Sequence, residues 1–188
     1  MKEATLADKI KIVDILTIAF DDNSSVNYIV KQGEQRVNRI KFLMNYSFEM
    51  CAKYGKVYLS DDESACALVL FPELKKNNFW TISKDIELIA KSIGFSNIFK
   101  ALKRESKIKE TQIKGDIYYL WFVGVDPSNQ NNGLGSKLLS MLLNQAEQMG
   151  RTVCLETSTA RNIPWYQKNG FKVYDKINLG YELFFLKN

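Results

Sequence analysis

The chain has 188 residues, of which 46% are hydrophobic and 25% charged, and a formal net charge of +5. These are the values of one ordinary folded domain with a sizeable core, so a disordered or fibrous chain is excluded. Histidine is absent, which removes Ser-His-Asp and Cys-His catalysis, any histidine base and any His-bearing zinc site. Chemistry must therefore come from carboxylates, Tyr, Lys, backbone groups or a reactive cofactor. Cys51, Cys66 and Cys154 are odd in number, far apart and set in apolar surroundings, which predicts reduced, buried thiols and no metal site. No apolar run approaches the ~20 residues that cross a bilayer. No apolar h-region follows Met1-Lys2-Glu3. The expectation is a cytoplasmic protein with no membrane partner.

In chain order, a stub strand precedes a helix predicted over Thr5 to Phe20, with Leu6, Ile10, Val13 and Ile18 among its apolar positions. The run Asp-Asp-Asn-Ser-Ser breaks it. Val26 to Tyr54 reads as helix again, interrupted near Gly33 and ended by Gly55. Lys56 to Ser60, the turn Asp61-Asp62-Glu63, and Ala65 to Phe71 read as strand, tight turn and strand, with Pro72 as the stop. Asn77 to Lys109 predicts two short helices around Gly94. Lys100 to Lys114 is basic with Glu interspersed. It is either a solvated helix face or a phosphate-steering one. Nucleic acid is not expected, since no stacking-aromatic motif lies there.

Ile117 to Val125, I-Y-Y-L-W-F-V-G-V, carries no charge and reads as a strand buried on both faces. Gly124 in its interior marks either a bulge at Val123-Gly124-Val125 or a packing glycine. Asp126-Pro127-Ser128-Asn129 ends the strand. From Leu134 the period is helical, with Leu138, Leu142 and Ala146 on one stripe and Gly150 at the cap position. The join Gln130-Asn131-Asn132-Gly133-Leu134-Gly135 is polar and glycine-bearing, and it feeds a helix start. The first amides of a helix have no partner within it, and the macrodipole adds positive charge there. The combination suits a phosphate. Val153 to Thr157 is the next strand and carries Glu156. Arg161-Asn162-Ile163-Pro164 opens a short helix holding Trp165 and Tyr166, closed by Asn169-Gly170. Phe171 to Lys176 and Tyr181 to Lys187 form a last hairpin. There is no repeat and no linker, so residues 1–188 are expected to form one domain.

The run V-G-V-D-P-x-x-Q-x-x-G-x-G-x-x-L-L, residues 123–139, resembles the acetyl-CoA-binding core of the GNAT superfamily of N-acetyltransferases. Gln130, Gly133 and Gly135 fill three of its positions. L-E-T-S-T-A-R-N-I-P-W-Y-Q-K-N-G-F resembles the next strand and helix of that family. Together they cover roughly residues 115–176. The resemblance implies an α/β fold with a central mixed, mostly antiparallel sheet, a bulged and splayed fourth strand, and flanking helices. It implies transfer of acetyl from acetyl-CoA to a primary amine by direct attack, without a metal. The acceptor is a small-molecule or peptide amine, and association into a homodimer is left open.

The resemblance assigns the pyrophosphate to the amides of Gln130, Asn131, Asn132, Gly133, Leu134, Gly135 and Ser136. It assigns the pantetheine arm to the edge of Val123, Gly124 and Val125, with the Val125 N–H polarising the thioester carbonyl. Asn162 is a further cofactor contact, and Tyr166 is the acid that protonates the departing sulfur. The family's usual Glu on the strand before the loop is missing here. Glu156, Asp116 or a water chain is left as the base, and Glu156 reads equally well as a paired structural acid. Helices in the first 54 residues are expected to wall the acceptor site, with Tyr28, Phe42, Tyr46 and Phe48 as lining or core. A Rossmann site fails because Leu138 holds the third glycine position, and a P-loop fails because the order is Gly135-Ser136-Lys137. A catalytically silent CoA-binding module of the same fold is the main rival.

Overall fold

The computed structural model describes residues 1–130 and 132–188. Seven strands form one sheet: β1 (Lys2–Glu3), β2 (Gly55–Leu59), β3 (Ala65–Leu70), β4 (Ile117–Val125), β5 (Thr152–Thr157), β6 (Lys172–Asn178) and β7 (Glu182–Lys187). Their spatial order is β1-β2-β3-β4-β5-β7-β6. Every neighbouring pair is antiparallel except β4 and β5. The helices are α1 (Lys9–Ala19), α2 (Ser24–Ile29), α3 (Arg36–Tyr54), α4 (Phe79–Leu88), α5 (Ile98–Thr111), α6 (Leu134–Gln148) and α7 (Ile163–Lys168). This is the mixed, mostly antiparallel architecture expected from the sequence.

The sheet has a hydrophobic layer on each face, which explains the uninterrupted apolar run of β4. Along β3, Cys66, Leu68 and Leu70 face α1 and α3, where Ile12, Leu16 and Met44 meet them. Ala65, Ala67 and Val69 face the other way, toward Leu138, Leu139 and Leu142 of α6. Alternation along the pleat divides the two sets.

The structure decides three points that the sequence left open or placed elsewhere. The burial of α1 falls on Ile12, Val13, Ile15 and Leu16, while Leu6, Ile10 and Ile18 are exposed. The bulge of β4 is not at Val123-Gly124-Val125. Those residues pair in register with Ala67, Cys66 and Ala65, and the register shifts where Leu68 pairs Phe122 and Val69 pairs Leu120. Trp121 is the extra residue. Consecutive side chains Trp121 and Phe122 consequently both pack toward the α1–α3 core. Gly124 is instead a packing glycine, because a Cβ there would lie 2.9 Å from Leu16 Cδ2 and 3.4 Å from Ala19 Cβ. Finally, of lining or core, the alternatives for Tyr28, Phe42, Tyr46 and Phe48, the structure gives core for the last two, and none of the four borders the cleft described below. Tyr46 and Phe48 are core, Tyr28 packs on Tyr181 with ring centroids 5.3 Å apart, and Phe42 lies under Lys91 Nζ at 5.2 Å.

The feature that positions the site is the divergence of β4 and β5. They pair only through Ile117–Thr152, Tyr118–Val153 and Tyr119–Cys154. Beyond that, β3 holds β4 as far as Val125, and β7 holds β5 as far as Thr157. A bulged strand bends and twists away from its neighbour. Trp121 sits two residues past the last β4–β5 pair.

Candidate active site

A cleft of about 900 Å³ fills the gap between the diverging strands. Its floor is Leu120, Trp121, Val123, Gly124 and Val125 on β4 and Leu155, Glu156 and Thr157 on β5. The start of α6 closes one end, and α7 with the preceding turn closes a side. The end of α1, the linker after it and the first residue of α2 form the remaining wall through Ala19, Phe20, Asp22, Asn23 and Ser24.

Backbone direction decides what β4 offers. The Asp126 N–H donates to Ser64 O on the β3 side at 2.7 Å. Peptide groups alternate along a strand, so the N–H groups of Val125 and Val123 point away from β3, toward the cleft. At the end of the strand, Gln130 Nε2 donates to Val125 O at 3.2 Å, which folds the loop back over β4.

Gly133 precedes α6 in the left-handed region, at φ +76°, and no side chain caps the helix. A residue with a Cβ pays a steric cost in that conformation, and glycine does not. Among the described residues, none accepts from the amides of Leu134, Gly135 or Ser136, and Lys137 N–H bonding Gly133 O at 3.0 Å begins the helical ladder. A Cβ on Gly135 would fall 3.4 Å from Trp165 Cζ2 and 3.6 Å from Val125 Cγ2. The indole of Trp165 donates to Ser136 Oγ at 2.9 Å and so ties α7 to the start of α6. Unpaired amides at the mouth of a fifteen-residue helix, facing a cleft, suit a diphosphate. The residues present therefore fit the anionic end of a nucleotide-like cofactor, and the open edge of β4 fits an extended arm lying beside it.

Of the residues singled out from sequence, Val123, Gly124, Val125, Gln130, Gly133, Leu134, Gly135, Ser136, Glu156, Asn162 and Tyr166 all border this cleft. Asn132 is exposed and outside its lining, and Asn131 lies outside the described residues. Asp116 is exposed at the far end of β4, away from the cleft, so it is not a candidate base.

Tyr166 is buried between Trp165 and Phe171, with ring centroids 4.7 Å and 5.7 Å away. Its hydroxyl has no hydrogen-bond partner among the described residues, and burial pushes the phenol pKa up. It stays protonated across the physiological range. Glu156 faces the other side of the sheet. Its Oε2 accepts from Tyr119 Oη at 2.5 Å and its Oε1 from Gln112 Nε2 at 2.9 Å. Burial raises its carboxyl pKa, while the two donors and nearby Arg104 pull the other way. The cleft thus has an acid on the α6–α7 side and a carboxylate on the α1–α5 side.

A wall from the first helices was expected, but sequence reading missed which residues form it, and it missed the bulged Trp121, Arg161 and the Trp165–Ser136 bond. The Asp-Asn-Ser run was visible only as a helix breaker. No local signal says which wall a breaker joins.

The family model for the acetyltransferase (GNAT) domain matches residues 75–173. Solved structures resemble the whole chain. A Corynebacterium glutamicum protein described as histone acetyltransferase HPA2 and related acetyltransferase superposes with a TM-score of 0.74 at 22% identity, over 98% of this chain and 93% of that one. The arylalkylamine N-acetyltransferase 2 of Aedes aegypti gives 0.63 at 16%, over 100% and 96%. An N-acetyltransferase of Staphylococcus aureus gives 0.61 at 15%, over 100% and 98%. At these identities the superpositions speak for the fold alone. The matched span exceeds half of the chain and contains β4, the α6 cradle and Tyr166, so the chain belongs to the GNAT acetyltransferase family.

Proposed function

We propose that the protein is an acetyl-CoA-dependent N-acetyltransferase acting on a primary amine by direct attack in a ternary complex. The observation that carries this reading is a cleft that brings the first amides of α6, which have no acceptor among the described residues, together with Tyr166 and Glu156 across the parted strands. Bound acetyl-CoA supplies an activated thioester.

The chain's own groups then divide the work by face. The amides of Leu134, Gly135 and Ser136 hold the diphosphate, with Gln130 and Asn162 beside them. Val123 and Val125 hold the extended arm, and the Val125 N–H polarises the carbonyl oxygen. Tyr166 Oη donates its proton to the leaving sulfur. Glu156, entering from the opposite face, receives a proton from the acceptor's ammonium group. A carboxyl with a raised pKa suits a base near neutral pH better than an ordinary one does. Positioning two reactants this way contributes through effective concentration as well as acid–base chemistry. No group of three or more potential metal ligands occurs among the described residues, and the proposal needs none.

A panel of primary amines, assayed by free-thiol release with acetyl-CoA, tests the reading. Amine-dependent thiol release supports it. Tight CoA binding with no turnover on any amine favours a silent cofactor-binding module instead.

A further inference from the structure

The two helices between β3 and β4 are anchored by their inner faces only. On α4, Thr81 Oγ1 is 3.0 Å from Tyr54 Oη, and Trp80 and Leu88 pack against the α1–α3 core. On α5, Ile108 is buried with Leu183 and Phe185. Their outer faces are apolar and uncovered. Phe79, Ile82 and Ile86 recur at helical spacing along α4, and all three are exposed, Phe79 by 88%. Phe95, Phe99 and Leu102 repeat the pattern across the start of α5, with the two rings 78% and 85% exposed. Isolated exposed apolar residues are common, but two such stripes on successive helices, with three bare phenyl rings, are not.

Charge says what covers them. Residues 75–114 carry ten Lys and Arg against four Asp and Glu, a surplus of six in a chain whose net charge is +5. The whole positive balance of the protein sits on this one segment. On α5, only Arg104 and Lys107 lie within ion-pair distance of a carboxylate among the described residues, while Lys103 and Lys109 are exposed beside the stripe. A second copy docking face to face would bring two such surpluses together. An apolar stripe flanked by lysines matches an anionic lipid surface, where rings enter the acyl boundary and ammonium groups meet the headgroups. No helix of the described residues is long and apolar enough to cross a membrane, so the helices lie on the surface.

We infer that α4 and α5 together dock the protein peripherally on anionic membranes. The test mixes the full chain with vesicles of phosphatidylcholine alone and of phosphatidylcholine with phosphatidylserine, followed by sedimentation. Binding should favour the anionic vesicles by about tenfold or more and weaken as salt rises. F95S/F99S and K103E/K109E should each lose most of it, with unchanged melting temperature and CoA affinity as the check on folding. Equal partition to both vesicle types overturns the inference, as does binding indifferent to both double variants. A dimer in solution that F95S/F99S splits, with no lipid binding in the parent chain, shows that a second copy covers the face and overturns it too.

Discussion

On the proposed mechanism, two side chains separate an acetyltransferase from a binding module. Tyr166→Phe removes one oxygen from a ring already held by Trp165 and Phe171, so the fold should survive. With the acid gone, kcat should fall roughly 10²–10⁴-fold while CoA affinity is retained, as steady-state kinetics and calorimetry would show. Turnover unchanged in this variant would remove Tyr166 from the chemistry. Glu156 makes a different prediction. Its folded pKa is raised above the ordinary carboxyl value by burial, so the folded state holds its proton more tightly than the unfolded state does. The protonated form contributes stability at pH below the unfolded value, and that contribution is lost as pH rises through the folded one. Glu156→Gln should therefore melt higher than the parent chain at neutral pH, with the gap closing in acid, while activity is lost. A lower neutral-pH melting temperature would mean that its bonds to Tyr119 and Gln112 outweigh its desolvation.

At the scale of elements, the start of α6 and the β2–β3 pair depend on missing side chains for different reasons. Gly135→Val adds an isopropyl group where Trp165 and Val125 already approach, and should block the proposed cradle. CoA should bind about tenfold or more weakly in calorimetry, a difference of at least ~1.4 kcal/mol. Gly55 lies outside the cleft. A Cβ there would sit 2.0 Å from the backbone oxygen of Val69, so β2 and β3 would have to part. Gly55→Ala should cost about 1–3 kcal/mol in denaturant unfolding, in keeping with overpacked sites, and leave CoA affinity per folded molecule unchanged. The contrast separates a glycine kept for a ligand from one kept for a sheet.

For the whole molecule, the cleft lies where two halves of the sheet part, and ligand binding should stabilise both halves together. At a hundredfold excess of CoA over its dissociation constant, linkage predicts about 2.7 kcal/mol of stabilisation. For a chain of this size that is a rise of roughly 5–10 °C in melting temperature by calorimetry. No shift at saturating CoA would contradict the proposed site. The cysteines report on the same integrity. Cys51, Cys66 and Cys154 are all buried and free, and burial pushes each thiol up, Cys154 to about 12. Thiol-specific labelling should thus be slow in the native protein and follow global unfolding.

Much of this was legible because it is local. The apolar run of β4, the change of period at Leu134, the glycines at 133 and 150, and the order of strands and helices all follow from which neighbours along the chain share a face. The helix start proposed as an anion cradle was legible too, since amides without an intrahelical partner belong to any helix start and the glycines advertise access to them. What the sequence could not set is where distant segments meet. Gly124 looks alike as a bulge or as room for a crossing helix, and only the approach of Leu16 and Ala19 decides it. The bulge went to Trp121, a residue with no turn chemistry, because β3 and β4 must shift register to fill the core on both faces. Tyr119 and Gln112 acquired Glu156 as a partner, and Asp22 and Asn23 became a wall, through contacts spanning tens to more than a hundred positions. Short-range patterning fixes dihedral preference and burial face. The sharing of one cleft by β4, β5, α6, α7 and the α1–α2 linker is decided by packing, which no single segment encodes.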